Sequence, residues 1–275
     1  MEIDTPAKQI LFSTVRIQVE TAGEPWYGTA LVYAHGADET QQNHFLVTCR
    51  HVVEGGRRGH LFFTKASSGQ AVLGERVHLV VDDLESKWFF HPDQSIDLAI
   101  APMSALQRRE TRREFLYATA IDNRVIPTEE QLHRLDVIEE VIFVGYPAGY
   151  YDHTNLLPVV RRCITASPIH LDYNGRPEFL VDGAAYFGSS GSPVFIVRRQ
   201  FDLLDRLRSM SKYLVHFLGI LSEIQRTTFD GHIGFIHPAA TAEGVASARL
   251  LNLGVVLKAH LVDETIAAYL AYGST

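Results

Sequence analysis

The stretch Y-F-G-S-S-G-S-P-V-F, Tyr186–Phe195, carries more information about the fold than any other part of the sequence. Gly188 and Gly191 permit a tight turn whose backbone amides stay open, because glycine adopts conformations that other residues avoid. Pro193 follows the turn and opens an apolar run typical of a β-strand. The pattern therefore predicts that Ser190 lies in a turn directly before a strand. An ordinary glycine- and serine-rich turn has the same local pattern, so other residues must decide its function.

Two earlier stretches place a titratable residue beside an apolar strand. F-L-V-T-C-R-H-V-V, Phe45–Val53, ends a strand with His51, and imidazole is the side chain suited to act as a general base near neutral pH. Q-S-I-D-L-A-I, Gln94–Ile100, places Asp97 just before a strand. Each signal is weak alone, because the chain has 13 histidines and aspartate is a common turn residue.

Together the three stretches resemble, in the same chain order, the catalytic motifs of trypsin-like serine proteases, in particular bacterial intracellular and HtrA-type enzymes. The resemblance implies that His51 is the general base, that Asp97 orients and stabilises it, and that Ser190 is the nucleophile. It also implies an oxyanion hole formed by the backbone amides of Gly188 and Ser190. The expected activity is hydrolysis of peptide bonds in a protein or peptide substrate, without a cofactor or a metal ion.

The resemblance also predicts where the substrate side chain binds. F-L-G-I-L-S, Phe217–Ser222, resembles the strand that flanks the substrate, and its Ser222 matches the serine that supports the catalytic aspartate. The predicted substrate pocket consists of Ala184, Ala185, Ile220, Ser222 and Ile224. Because most of these residues are apolar, we expect a preference for an aliphatic residue before the cleaved bond.

One position departs from the family pattern. Ser189 stands where secreted trypsins have the aspartate that binds a newly cut N-terminus. We therefore expect a specific, regulated protease that needs another trigger, such as an activating partner protein.

The rest of the chain has the pattern of an all-β protein, with short apolar runs separated by turn residues. The predicted strands are Thr14–Glu20, Gly28–Ala34, His44–Cys49, His60–Thr64, Val77–Val81, Leu98–Pro102, Val137–Gly145, Val159–Thr165, Glu178–Asp182, Pro193–Val197, Tyr213–Leu221 and Leu253–Lys258. We expect a single trypsin-like domain over 1–275, with two six-stranded antiparallel β-barrels. The expected parts are a first barrel over 10–103, a helical linker over 104–135, a second barrel over 136–260 and a C-terminal helix over 261–275. Arg198–Lys212 and Glu223–Leu250 have no clear family counterpart and are expected to be insertions, the first allowing a short amphipathic helix.

Composition limits the partners and the location. The formal net charge of −7 argues against nucleic acid as the main partner, since binding phosphates requires a basic face. No stretch reaches the roughly 18 apolar residues of a membrane span, and residues 1–10 lack the features of a signal peptide. We expect a cytoplasmic protein without a membrane partner, in which Cys49 and Cys163 are reduced thiols.

Three alternatives compete with this interpretation. A catalytically silent binding or regulatory module on the same fold would use Arg50, Arg57, Arg58 and the long insertions for recognition alone. Metal-dependent hydrolysis lacks support, because His51 and Glu54 belong to no recognisable ligand motif. An α/β-hydrolase would need a different turn motif and the chain order serine, aspartate, histidine.

Overall fold

The computed structural model describes residues 1–21, 24–36, 42–106, 115–183, 188–200, 212–227, 233–235 and 249–273. Two antiparallel β-sheets account for most of these residues, and helices are few and short. The predicted all-β class is therefore confirmed.

The N-terminal sheet contains nine strands within the described residues. They are β1 (Thr14–Glu20), β2 (Trp26–His35), β3 (Asn43–Thr48), β4 (Arg58–Ser67), β5 (Gln70–Asp82), β6 (Phe89–Phe90), β7 (Ala99–Pro102), β8 (Leu116–Tyr117) and β9 (Ile121–Asp122). The main order is β5-β4-β1-β2-β3-β7-β6, while β8 pairs with β4 and β9 runs parallel to β2. In β1, Val15, Ile17 and Val19 are buried while the residues between them face outward, as the alternating sequence predicts.

The C-terminal sheet closes into a barrel. Its strands are β10 (Glu140–Gly145), β11 (Val159–Thr165), β12 (Glu178–Asp182), β13 (Ser192–Gln200), β14 (Lys212–Thr227), β15 (Ile233–Phe235) and β16 (Arg249–Lys258). Six of them form a ring in the order β13-β10-β11-β12-β16-β14, and β14 pairs again with β13. β15 lies outside the ring and pairs with the end of β14.

The prediction of two six-stranded barrels is correct for the second barrel and needs correction for the first. Part of the linker adds the short strands β8 and β9 to the first sheet, and the two-residue strand β6 is the third strand beyond the six predicted. The ends of that sheet, β5 and β6, show no pairing with each other among the described residues.

Within the described residues, helices are short except at the C-terminus. They are α1 (Pro6–Ile10), α2 (Arg50–Val53), α3 (Met103–Leu106), α4 (Glu129–His133) and α5 (His260–Tyr272). The helical linker contains α3 and α4, while its residues 107–114 lie outside the described part of the chain. The predicted C-terminal helix is present as α5. It packs on the first sheet through buried Leu261, Val262 and Ile266, and the Tyr33 hydroxyl donates a hydrogen bond to Asp263 over 2.9 Å.

The two predicted insertions are partly regular structure. β13 continues to Gln200 and β14 begins at Lys212, so the ends of the first insertion belong to a β-hairpin; the helix predicted between them falls outside the described residues. Residues 223–227 continue β14, because their backbone pairs with β15 and β16.

Cys49 and Cys163, the two cysteines of the chain, are buried thiols that form no disulfide. Within the part of the chain that the structure describes, no helix has both the length and the apolar character needed to cross a membrane.

Candidate active site

His51 lies at the point where β3 ends. The chain passes through buried Cys49 into the one-turn helix α2, which carries His51. Val52 and Val53 of this helix are buried in the core, and the backbone amide of Glu54 closes the turn on the Arg50 carbonyl. Apolar packing on both sides therefore fixes the position of the imidazole.

Asp97 contacts His51 twice. Asp97 Oδ1 accepts a hydrogen bond from the His51 backbone amide over 2.9 Å, and Oδ2 lies 2.6 Å from His51 Nδ1. Ser222 Oγ donates to the same Oδ2 over 2.5 Å. The buried strand residue Leu98 follows Asp97 and holds it at the edge of the core. The carboxylate thus keeps a proton on Nδ1 and leaves the lone pair on Nε2.

Asp97 is ionised at neutral pH. Burial acts to raise the pKa of this carboxyl, but the hydrogen bonds from His51 and Ser222 and the attraction of His51 outweigh it. The net effect is a pKa below the ordinary value for aspartate.

The turn around Ser190 requires glycine on both sides. Gly188 and Gly191 have φ of +83° and +86°, in the region that side chains disfavour. A Cβ on Gly191 would lie 1.8 Å from the Thr29 carbonyl oxygen, and one on Gly188 would lie 2.7 Å from the Tyr146 carbonyl oxygen. Backbone conformation and lack of space therefore both exclude other residues at these positions.

Thr29 connects the Ser190 turn to the first sheet. Its hydroxyl donates to the Gly188 carbonyl over 3.1 Å and accepts from the Tyr146 amide over 3.1 Å. Its backbone amide donates to the Ser190 carbonyl over 2.9 Å. Its own carbonyl accepts a 2.6 Å hydrogen bond from Thr48 Oγ1, at the end of the strand that leads to His51. Sequence reasoning missed this buried residue, although the G-T-A-L-V stretch at Gly28–Val32 contains it.

The hydroxyl of Ser190 donates to the Ser222 carbonyl oxygen over 2.9 Å. A serine hydroxyl carries a single hydrogen, so in this orientation that hydrogen points to the Ser222 backbone. Ser222 therefore contacts two members of the predicted triad, Asp97 through its side chain and Ser190 through its carbonyl.

One of the two predicted oxyanion donors has a defined direction. The Ser189 carbonyl accepts a hydrogen bond from the Ser192 amide over 3.0 Å. Because the N–H and C=O of a trans peptide point in opposite directions, the Ser190 amide points away from Ser192. The amide of Gly188 belongs to the peptide with residue 187, which lies outside the described chain, so its part in the hole stays a prediction.

His51 and Ser190 line the same cavity, which has a volume of about 200 Å³. The other described residues around it are Pro25, Trp26, Tyr27, Val52, Ala148 and Gly188. A second cavity of about 330 Å³ is also lined by His51, with Asp97 and Ser222 among its other residues. His51 therefore lines two cavities, of which only the first also includes Ser190.

Comparison with solved structures identifies the architecture. The HtrA-type protease AlgW, solved with a tripeptide, matches with a TM-score of 0.52 and 13% identity, over 99% of this chain and 65% of AlgW. The fold is trypsin-like. The chain spans about two thirds of the length of AlgW.

Two other solved structures are similar at lower scores. The inactive mutant form of Rv3671c from M. tuberculosis H37Rv has a TM-score of 0.46 and 16% identity, over 95% of this chain and 89% of its own. The thermostable serine protease AL20 from an extremophilic microorganism has a TM-score of 0.45 and 15% identity, over 82% and 90%. Neither score reaches 0.5, so the fold assignment depends on AlgW. No protein-family model matches the sequence, and no curated protein matches it significantly.

The predicted substrate pocket is only partly visible on this trypsin-like fold. Ala184 and Ala185 lie outside the described residues, and for Ile224 only the backbone, within β14, is described. Ile220 is 1% exposed and belongs to the main hydrophobic core, while Ser222 lines the second cavity. The pocket as a whole stays a prediction.

Three possible metal ligands lie together at the base of this site. A sulfur, nitrogen or oxygen atom from each of Cys49, His51 and Asp97 lies within 4.8 Å of the others. Hydrogen bonds already engage them, since Cys49 Sγ donates to the Leu221 carbonyl and Asp97 accepts from His51. These hydrogen bonds already account for the closeness of the three side chains.

Proposed function

We propose that the chain is a serine endopeptidase in which Ser190 is the nucleophile, His51 the general base and Asp97 the residue that orients it. The observation that carries this proposal is the paired contact of Asp97 with the amide and Nδ1 of His51, next to a cavity shared by His51 and Ser190. The alternative module without catalysis has no need for an ionised, partly buried carboxylate on this histidine.

The geometry supports a stepwise acyl transfer. His51 Nε2 would accept the Ser190 proton as Oγ attacks the substrate carbonyl, and Asp97 would stabilise the imidazolium that forms. The Ser190 amide, and by analogy that of Gly188, would bind the oxygen as it becomes negative. His51 would then protonate the leaving amine, and water would release the acyl group by the reverse sequence.

Regulation and specificity belong to the same proposal. The Ser190 hydroxyl must rotate away from the Ser222 carbonyl before His51 can take its proton, so the described arrangement suits a resting enzyme. An activating partner protein would favour the rotated state. An apolar residue before the cleaved bond is proposed from the small and aliphatic residues of the predicted pocket.

A fluorophosphonate probe tests the proposal directly, because it reacts with an activated serine and not with an ordinary one. We expect labelling of the native protein and none of Ser190→Ala, with His51→Ala reduced nearly as far because triad residues act as a unit. Mass spectrometry of the labelled peptide would locate the adduct on Ser190. A folded native protein that stays unlabelled, alone and with candidate partners, would favour the silent binding module instead.

A further inference from the structure

Two arginines lie on the face of the first sheet that adjoins the Ser190 turn. Arg16 on β1 is directly opposite Thr29 on β2 and Phe62 on β4, and Phe62 is opposite His78 on β5. Arg76 lies two residues before His78 on the same strand. Residues that pair directly, or that lie two apart on one strand, share a face of the sheet. Arg16, Phe62, His78 and Arg76 therefore form one group, here called the arginine cluster.

The arginine cluster is built around one aromatic ring. The Arg16 guanidinium carbon lies 4.1 Å from the centre of the Phe62 ring and 4.6 Å from that of Tyr151, so it is held between two aromatic faces. The Arg76 guanidinium carbon lies 5.0 Å from the same Phe62 ring, and His78 stacks on that ring at 4.6 Å. Both guanidinium groups thus lie close enough to the Phe62 ring for cation–π attraction, which leaves their N–H groups available as donors.

The positive charge of the cluster has no carboxylate partner. Within the described parts of the chain, neither Arg16 nor Arg76 forms an ion pair, and the neighbouring Glu75 is bonded to Lys65 over 2.6 Å. Burial lowers the pKa of Arg16, and the charge of Arg76 lowers it further. Burial also lowers the pKa of His78, with added effects from His60 and both arginines. Two cations in a chain of net charge −7 thus stand together without neutralisation.

The cluster is close to the cavity that His51 and Ser190 share. Thr29 donates its amide hydrogen to the Ser190 carbonyl, and Arg16 is the residue paired with Thr29 in the sheet. Adjacent strands are about 5 Å apart, which puts the Arg16 backbone roughly 10 Å from Ser190. Tyr27 links the two places, since it lines the cavity and lies two residues before Thr29 on β2, on the face that carries Arg16.

The cavity lies on the side of the leaving group. In the proposed reaction His51 gives its proton to the departing amine, so the chain after the cleaved bond must pass along His51. Val52, Trp26 and Tyr27 line the cavity beside His51, whereas Ile220 and Ser222, on the strand predicted to flank the acyl part, do not. An extended peptide advances about 3.3 Å per residue, so about three residues cover the distance to Arg16.

We propose that Arg16 and Arg76 bind a carboxylate of the substrate, an acidic side chain two to four residues after the cleaved bond. This rests on the proposed function and adds a recognition element to it. Guanidinium groups suit a carboxylate because their paired N–H groups match its two oxygens. An acidic side chain would also supply the charge that the cluster lacks.

Binding tests this site without relying on activity. The probe is a fluorescein-labelled peptide of four Gly-Glu repeats with an amidated C-terminus, measured by anisotropy on the Ser190→Ala protein at low salt. We expect it to bind roughly fivefold to tenfold more tightly than the matching Gly-Gln peptide. Arg76→Gln should remove the difference, because Arg76 is exposed and its replacement leaves the core intact.

Arg134→Gln is the matched control. Arg134 is an exposed arginine after α4 that is paired with Glu130, away from the cluster, so this variant should keep the preference. Equal binding of both peptides, or a preference that persists in Arg76→Gln, would overturn the proposal. A Gly-Gln peptide with a free C-terminal carboxylate is the third arm. If it alone binds in an Arg76-dependent way, the carboxylate belongs to a chain end, and the side-chain assignment is wrong.

Cleavage of a peptide library by the native protein separates this proposal from the general one. We expect aspartate or glutamate to be enriched two to four residues after the cleaved bonds, and the enrichment to be lost in Arg76→Gln. Cleavage with no acidic preference contradicts the carboxylate site and leaves the protease function standing. The protein could instead bind the Gly-Glu peptide in an Arg76-dependent way and neither cleave peptides nor react with the fluorophosphonate probe. That result supports the carboxylate site and contradicts the protease function.

Discussion

The Ser190 hydroxyl and the Ser222 carbonyl are joined by a 2.9 Å hydrogen bond, while the Ser222 hydroxyl binds Asp97 over 2.5 Å. Ser222 on β14 thus binds the predicted nucleophile, Ser190, through its backbone and the predicted orienting residue, Asp97, through its side chain. Replacing the side chain of Ser222 affects only the second contact, so the two effects are separable by mutation.

Ser222→Ala should destabilise the protein in a pH-dependent way. The pKa of Asp97 is lowered in the folded state, so its contribution to stability is present above the unfolded value of about 4 and disappears as the pH falls through the folded value. The variant loses one hydrogen bond that lowers this pKa, which costs about 1.5–3 kcal/mol at pH 7. Urea unfolding should show that the difference in free energy of unfolding between the native protein and the variant becomes smaller below about pH 4. A gap that stays constant down to pH 2 would mean that the Ser222 side chain stabilises the fold through packing alone.

Thr29→Val should slow the reaction of Ser190 while Thr29→Ser should not. Valine has nearly the shape of threonine but leaves the Gly188 carbonyl and the Tyr146 amide without the hydroxyl that binds both. A displacement of the turn by a fraction of an ångström lowers reactivity on the order of tenfold to a hundredfold. Rates of fluorophosphonate labelling, with thermal unfolding as a check on folding, measure this. Equal losses in the serine variant would show that Thr29 matters for packing and not through its hydroxyl.

Gly191→Ala should be far more destabilising than Gly55→Ala. Both glycines have positive φ, +86° and +72°, so both variants carry the penalty of roughly 1–2 kcal/mol for a left-handed residue. Only at Gly191 would the new Cβ meet other atoms, at 1.8 Å from the Thr29 carbonyl oxygen, whereas nothing lies within 4 Å at Gly55. We expect a total cost of about 3 kcal/mol or more at Gly191, which lowers Tm by roughly 6–12 °C. Similar Tm values for the two variants would contradict the close packing of the Ser190 turn.

Tyr33→Phe should weaken the attachment of α5 fully below about pH 10 and progressively less as the pH rises above that value. Burial, together with the charge of Asp263 and the hydrogen bond to it, raises the pKa of Tyr33. A raised folded value means that the contribution to stability is complete below the unfolded value of about 10 and is lost as the pH rises toward the folded one. The free energy of unfolding of the variant should be about 1.5–3 kcal/mol lower than that of the native protein at pH 7. This difference should become smaller above about pH 10. Denaturant unfolding over this pH range measures the difference, with Tyr272→Phe, at a 77% exposed tyrosine of the same helix, as the control.

The sequence alone determined what depends on local chemistry. Alternating apolar residues predicted strands such as β1, because a strand with one buried face has a period of two. The two glycines around Ser190 predicted a turn that only glycine can form, and the positive φ of Gly188 and Gly191 agrees with that reason.

Tertiary structure decided what depends on residues far apart in the chain. Thr29 reaches Gly188 across 159 positions and Ser222 reaches Asp97 across 125, distances at which no local pattern constrains a hydrogen bond. The arginine cluster is likewise assembled from three strands. The register of these strands, and not a local sequence pattern, brings Arg16 and Arg76 to the Phe62 ring. Motifs indicate which side chains have the right chemistry, but only the pairing of strands fixes the distances at which that chemistry operates.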